Sequence, residues 1–239
     1  MTHPKLLCLH GNRSNAQVTE MQCSGILELD RVASLIFLDA PFECAAFDKD
    51  IGGGRSWFVR DAVETAEVKQ AALRRSLQHV VNEISTKGPF DGCYGFSQGA
   101  ALASLLCEPA VHRALGLAER PFRFAVLVCA ADYDTTFGAG VAQELIAACS
   151  AEAGVSASGG ALLELPSLHL MGEQDEILAS SQALARRYAR PRTLAHRSGH
   201  TLSAMELCGG AGQQLCSELR LFVERPEFAA GGGGECGVN

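Results

Sequence analysis

FDGCYGFSQGAALASLL, residues 90–106, passes from an apolar run into a run of small residues through Gly95-Phe96-Ser97-Gln98-Gly99. Its first half, FDGCYGFS, has the near-continuous apolar character of a strand buried on both faces. Its second half, QGAALASLL, reads as a close-packed helix. The GxSxG spacing between them is that of a serine held on a sharp strand-to-helix turn, with glycines on both sides because the two elements pack there without room for side chains. Composition alone generates the pattern about 0.2 times in such a chain, so the strand before it and the helix after it carry the argument. A serine turn in a cofactor-binding α/β protein is the competing reading, but the stretch lacks the GxGxxG or Walker spacing that such loops need.

Outward from this point, short apolar runs alternate with helical ones. LLCLH (6–10), SLIFLDA (34–40), FRFAVLVCAA (122–131) and LPSLHLMG (165–172) read as further buried strands. Helices are expected over about 16–32, 61–86, 98–111, 139–152, 178–189 and 201–223; in the longest, Leu73, Leu77, Val80, Val81 and Ile84 mark one face and Arg75, His79 and Glu83 the other. The alternation predicts an α/β fold with a mostly parallel, doubly wound sheet and helices on both faces. Residues 1–226 read as one domain, and 227–239, with four consecutive glycines, as a flexible tail. The stretch 41–60, PFECAAFDKDIGGGRSWFVR, is too long and aromatic for a plain turn. Phe42, Trp57 and Phe58, with Phe47 between them, are expected to wall a substrate site, the alternative being that they cap the core.

A serine hydroxyl needs a base to take its proton, and the base needs an acid to orient it. In this kind of fold the chain order is serine, acid, histidine. After Ser97 the aspartates are Asp132, Asp134 and Asp175. Asp175, just past the strand LPSLHLMG, is placed to face the crevice at the carboxyl edge of the sheet; Asp132 and Asp134 are the alternatives, and Glu173 and Glu176 read as solvated loop charges. Of the downstream histidines, His200 follows a glycine on a loop, whereas His196 lies inside the strand-like RTLAHRS. His10, His79, His112 and His169 read as structural or solvated, and His3 as part of a mobile terminus. The turn LHGN (9–12) and the residue after the serine supply candidate oxyanion donors, the main-chain amides of Asn12 and Gln98.

Composition narrows the partners. The chain has 239 residues and a net charge of −7, so its field repels nucleic acid and anionic membrane surfaces. No apolar run approaches the ~18 residues of a membrane span, and no signal peptide is evident, which makes the cytoplasm the expected compartment. Ten cysteines with no CxxC pair read as reduced, mostly buried thiols rather than a zinc site. No metal and no organic cofactor are expected.

LCLHGNRSNA (7–16), FLDAPF (37–42), DGCYGFSQGAALASLL (91–106), SLHLMGEQDEIL (167–178) and SGH (198–200) together resemble the FSH-type serine hydrolases, a family of α/β-hydrolases. The resemblance covers about residues 5–205. It implies a catalytic Ser97, Asp175 and His200 with oxyanion positions at Asn12 and Gln98. One departure is visible: the family pattern suggests Gly-Gly-His with a proline soon after, and this chain reads Ser-Gly-His-Thr-Leu-Ser (198–203). The resemblance also implies a small-molecule acyl ester or thioester as substrate. The expected activity is cleavage of esters of medium or long acyl chains through an acyl-serine. The alternatives are an acyl-protein or carrier-protein thioesterase and a non-catalytic ligand-binding protein of the same fold.

Overall fold

The computed structural model describes residues 3–58, 65–155, 162–202, 207 and 210–226. The expected tail, 227–239, lies outside the described residues, as does the start of the helix expected from 61.

Six strands form one parallel sheet: β1 (Lys5–Leu9), β2 (Ser34–Leu38), β5 (Gly92–Phe96), β6 (Phe124–Val128), β7 (Ser167–Gly172) and β8 (Pro191–His196), in the order β2-β1-β5-β6-β7-β8. Period-two alternation splits their side chains between two cores. Leu7, Leu9, Cys93, Ala125 and Leu127 pack on one face with α2 (Ala66–Lys87), α3 (Gln98–Leu106), α4 (Pro109–Ala114) and α6 (Val141–Ala153). Leu6, Cys8, Tyr94, Phe124, Val126, Leu168 and Leu170 pack on the other with Cys23 and with Leu215, Leu219 and Phe222 of the last helix, α8 (Gly210–Glu224). The central strands β1, β5, β6 and β7, covered on both faces, are almost wholly buried, as the sequence runs suggested, whereas the edge strand β8 is largely exposed.

From β1 the chain goes to β2 on one side and then returns to β5 on the other side of β1. The loops leaving β1 and β5 therefore diverge and open a crevice at the carboxyl ends of the strands, where ligands bind in sheets of this kind.

Several expected elements are cut shorter, each for a local reason. The helix expected over 16–32 is α1 (Ala16–Glu20), capped by Asn15, followed by a π-helical turn (Met21–Ile26) and a 3₁₀ turn (Leu29–Arg31); Glu28, with φ 53°, breaks it. The helix over 98–111 stops before Pro109, which forces Glu108 to an extended ψ of 127° and restarts the chain as α4. A short helix after β6, α5 (Tyr133–Phe137), is capped by the Asp132 carboxylate; α7 is Leu178–Ala185. The 41–60 stretch contains an antiparallel hairpin, β3 (Phe42–Cys44) with β4 (Gly54–Ser56). Cysteines 8, 23, 44, 93, 107, 129, 149 and 216 are free thiols, all but Cys44 buried. Among the described residues no helix is long and apolar enough to cross a membrane.

Candidate active site

Ser97 sits at the crevice between β5 and α3 with φ 52° and ψ −117°, a strained conformation for a residue with a side chain and worth on the order of 1–3 kcal/mol. Its amide is tied to the Val128 carbonyl at 2.9 Å, which holds the turn down while the side chain stands above the sheet edge. The flanking glycines are obligatory. A Cβ on Gly95 would lie 2.5 Å from the Ala100 Cα, and one on Gly99 2.4 Å from the His10 carbonyl oxygen. Both clashes are with backbone, so strand, helix and β1 exit could not approach one another with alanine at either place.

His200 reaches Ser97 from the loop after β8, with Nε2 at 2.8 Å from Oγ, and its Nδ1 lies 2.8 Å from Oδ2 of Asp175. Asp175 is an acceptor only, so Nδ1 carries the proton and Nε2 is left to accept from the serine hydroxyl. The other carboxylate oxygen accepts the Ile177 amide at 3.0 Å, and the side chain is almost wholly buried. The two loops are laced together: Glu173 N–H donates to the His196 carbonyl and Gln174 N–H to that of Ser198. A Cβ on Gly172 would lie 2.4 Å from the Gly199 carbonyl oxygen, so this close approach also requires glycine. The ring of Phe96 packs at 5.4 Å from that of His200.

The alternatives lie elsewhere. Asp132 accepts the Thr135 amide at 2.8 Å and the Ser180 hydroxyl at 2.7 Å; burial opposes its ionisation, but these hydrogen bonds hold its carboxyl below the usual range. Asp134 accepts the Gly140 amide. His196 is buried in β8, its Nε2 3.7 Å from the Cys129 thiol. Glu173 and Glu176 are exposed, as expected of solvated charges, and Glu176 also lines the crevice.

His10 shapes the turn after β1. Its Nδ1–H donates to the Gly11 carbonyl at 2.7 Å and its Nε2 accepts the Ala40 amide at 3.0 Å, so a neutral ring bridges the exits of β1 and β2. Burial lowers its pKa to about 4. Asn12 follows in the turn. Gln98 opens α3, so its N–H is a first-turn donor that no carbonyl of the helix can reach. Both residues line the crevice beside Ser97.

The crevice encloses about 490 Å³, within the range of small-molecule sites. Val18, Phe47, Phe96, Ala131 and Ile177 give it an apolar lining, with Gln22, Thr135, Thr136 and Glu176 among its polar groups. The expected aromatic wall is corrected here. Trp57 and Phe58 are buried in the core and do not line the crevice. Phe42 stacks under the Arg75 guanidinium, with 5.0 Å from its ring centroid to Arg75 Cζ. Of the aromatics in that stretch only Phe47, 57% exposed, reaches the opening. Trp57 is drawn inward because its Nε1–H donates to the buried His10 carbonyl at 2.8 Å and its amide to Gln98 Oε1 at 2.8 Å.

Donor atoms of Cys129, Asp175 and His200 lie within 4.8 Å of one another. The cluster is poor for a metal: burial pushes the Cys129 thiol up to about 12, with Asp175 adding to the rise, and the other two groups are already hydrogen-bonded to each other.

The serine hydrolase (FSH1) family model matches residues 1–206. Esterase OVCA2 of Xenopus tropicalis is 30% identical over 226 residues, covering 84% of this chain and 86% of its own length. Esterase CG5412 of Drosophila melanogaster is 28% identical, covering 92% and 74%. Among solved structures, Zea mays acyl-protein thioesterase 2 superposes with a TM-score of 0.53 at 20% identity, covering 93% of this chain and 95% of that one, a likeness of fold.

Proposed function

The chain belongs to the FSH1 serine hydrolase family, whose members share the α/β-hydrolase fold seen here, and from that premise we propose that it is an esterase acting on carboxylic esters of medium or long acyl chains through an acyl-Ser97 intermediate. The observation that carries this reading is the continuous hydrogen-bonded path from Ser97 Oγ through the His200 ring to the Asp175 carboxylate, 2.8 Å at both steps.

In the first half-reaction the Ser97 oxygen attacks the ester carbonyl while His200 Nε2 takes its proton. Asp175 holds the ring in the required tautomer and stabilises the imidazolium. The amides of Asn12 and Gln98 receive the negative oxygen of the tetrahedral intermediate, and His200 then protonates the departing alkoxide. Water repeats the sequence on the acyl-enzyme. The acyl chain lies against Val18, Phe47 and Ile177, and each methylene buried there contributes about 0.8 kcal/mol, nearly fourfold in kcat/KM.

A fluorophosphonate probe with p-nitrophenyl esters from C2 to C16 tests the proposal. The expected result is covalent labelling of Ser97, and turnover that rises with chain length until the crevice is full. Slow labelling without turnover of any ester or matched thioester overturns the enzymatic reading; a profile falling steadily from C2 overturns the chain-length preference alone.

A further inference from the structure

Ser56, the last residue of β4, is 3% exposed, and three acceptors converge on its hydroxyl: Asn12 Oδ1 at 2.8 Å, Phe58 O at 2.7 Å and Gln98 Oε1 at 3.0 Å. A hydroxyl has one proton and two lone pairs, so it cannot donate to all three. The orientation of Gln98 is fixed independently, since its Oε1 accepts the Trp57 amide and its Nε2 donates to the Phe58 carbonyl. The Asn12 carboxamide can present either end to Ser56. With its NH₂ toward Ser56 the network closes: the single Ser56 proton is shared between Phe58 O and Gln98 Oε1 in a three-centre bond, and the Ser56 oxygen accepts from Asn12 and from the Phe58 amide, 3.3 Å away.

The two residues tied by this hydroxyl come from unrelated elements. Gln98 stands on the rigid start of α3, whereas Asn12 lies in an irregular turn with no helix or strand to fix it. Oxyanion donors act only when preorganised at about 2.7–3.1 Å from the developing charge, and a displacement of about 1 Å costs on the order of 100-fold. Ser56 is itself held by the hairpin, where the neighbouring Arg55 amide donates to the Ser14 carbonyl at 2.7 Å and the Arg55 guanidinium to that of Ala40. We infer that Ser56 is a positioning residue for the reaction: by bridging the side chains of Asn12 and Gln98 it sets the spacing of their main-chain amides. The inference rests on the proposed role of those amides. It also gives the aromatic hairpin a task other than walling the substrate, namely to buttress the oxyanion turn.

The test compares wild type, Ser56→Ala, Ser56→Thr and Asn12→Ala, with kcat and KM measured per active site counted by fluorophosphonate titration, and Ki for a trifluoromethyl ketone matched to the substrate. Ser56→Ala is expected to lower kcat 10- to 100-fold with KM within about threefold, and to raise the ketone Ki by the factor by which kcat/KM falls. Ser56→Thr, which keeps the hydroxyl, recovers most of the loss. Asn12→Ala keeps the amide and removes only the tie, so it shows the same pattern, and the double variant is little worse than either single one. Unchanged kcat and ketone Ki in Ser56→Ala overturn the inference. If the Ser56 variants do not fold, unchanged values in Asn12→Ala overturn it equally. A wild-type protein that labels but turns over no substrate overturns the proposed activity instead, and the ketone Ki series, read by competition with fluorophosphonate labelling, still decides whether Ser56 sets the amides.

Discussion

His10 at the end of β1 and His169 within β7 make the fold sensitive to mild acid. Both are buried, and burial lowers their pKa values from 6.5 to about 4 and about 3. The folded protein holds both rings neutral, while the unfolded chain takes up protons as pH falls below about 6.5. Their contribution to stability is therefore complete above that pH and is lost on the way down toward the folded values. Between pH 7 and pH 5 the linkage integral gives about 2 kcal/mol for each, so about 4 kcal/mol together, a large part of the ~5–15 kcal/mol that holds an ordinary domain. Trp57, the single tryptophan and fully buried, reports unfolding in urea by fluorescence. The comparison is wild type against His169→Gln at pH 7, 6 and 5. Glutamine does not titrate, and it can still reach the Ser167 hydroxyl that lies 3.1 Å from the His169 Nε2. The variant is expected to start less stable, through loss of the edge-on contact with the Tyr188 ring, but to lose about 2 kcal/mol less across the interval. His112, whose pKa burial also lowers, is common to both proteins and cancels from the difference. Parallel curves for the two proteins would refute the claim that His169 is held neutral.

Ser97→Ala and His200→Ala are each expected to lower kcat by roughly 10⁴–10⁶ with the double variant little worse, and Asp175→Asn by about 10⁴; additive losses in steady-state kinetics would undo the assignment of a single unit. Phe47→Ala should flatten the chain-length profile of kcat/KM with a small change in Tm, whereas Trp57→Ala should cost about 3–5 kcal/mol in urea unfolding; a flattened profile with unchanged stability in Trp57→Ala would reverse that division. Gly99→Ala should prevent accumulation of folded, probe-reactive protein, because its Cβ would stand 2.4 Å from a main-chain oxygen; normal labelling would show that the turn can open.

The sheet was legible because each of its central strands is apolar on both faces, and the turn at Ser97 because glycine is compulsory on either side of it. Asp175 and His200 followed from chain order and from their places after strands. The hairpin was not legible. Its strands are three residues each, too short for any period to show, and what holds them is main-chain bonding to Ser14 and Arg13, which composition does not record. Trp57 misled for a related reason: an aromatic cluster in a long connection reads equally as wall or as core. The deciding contacts are hydrogen bonds from its amide and indole to Gln98 and His10, distant in sequence. A signal for His10 did exist, a histidine and glycine closing a buried strand, but only the fold brings Ala40 to its second nitrogen.

The crevice is built from two kinds of part, and they should tolerate change differently. Ser97, His200, Asp175, Asn12 and Gln98 each have a main-chain or side-chain tie to another element: to β6, to the exit of β7, or to β4. Replacing Gln98 strips the buried Trp57 amide and Phe58 carbonyl of a partner, and replacing Asp175 strips the Ile177 amide, at about 1–3 kcal/mol each, before any effect on the reaction is counted. Val18, Phe47 and Ile177 meet the crevice with hydrocarbon side chains that hold no such tie, so their size can change at the cost of packing alone. Phe47, more than half exposed, is the least constrained of them. Under the proposed function, acyl-chain preference rests on side chains on which neither the Ser97 turn nor the turn at Asn12 depends, so substitutions at these three positions are expected to change the preferred ester while the rate on a short one stays near that of wild type.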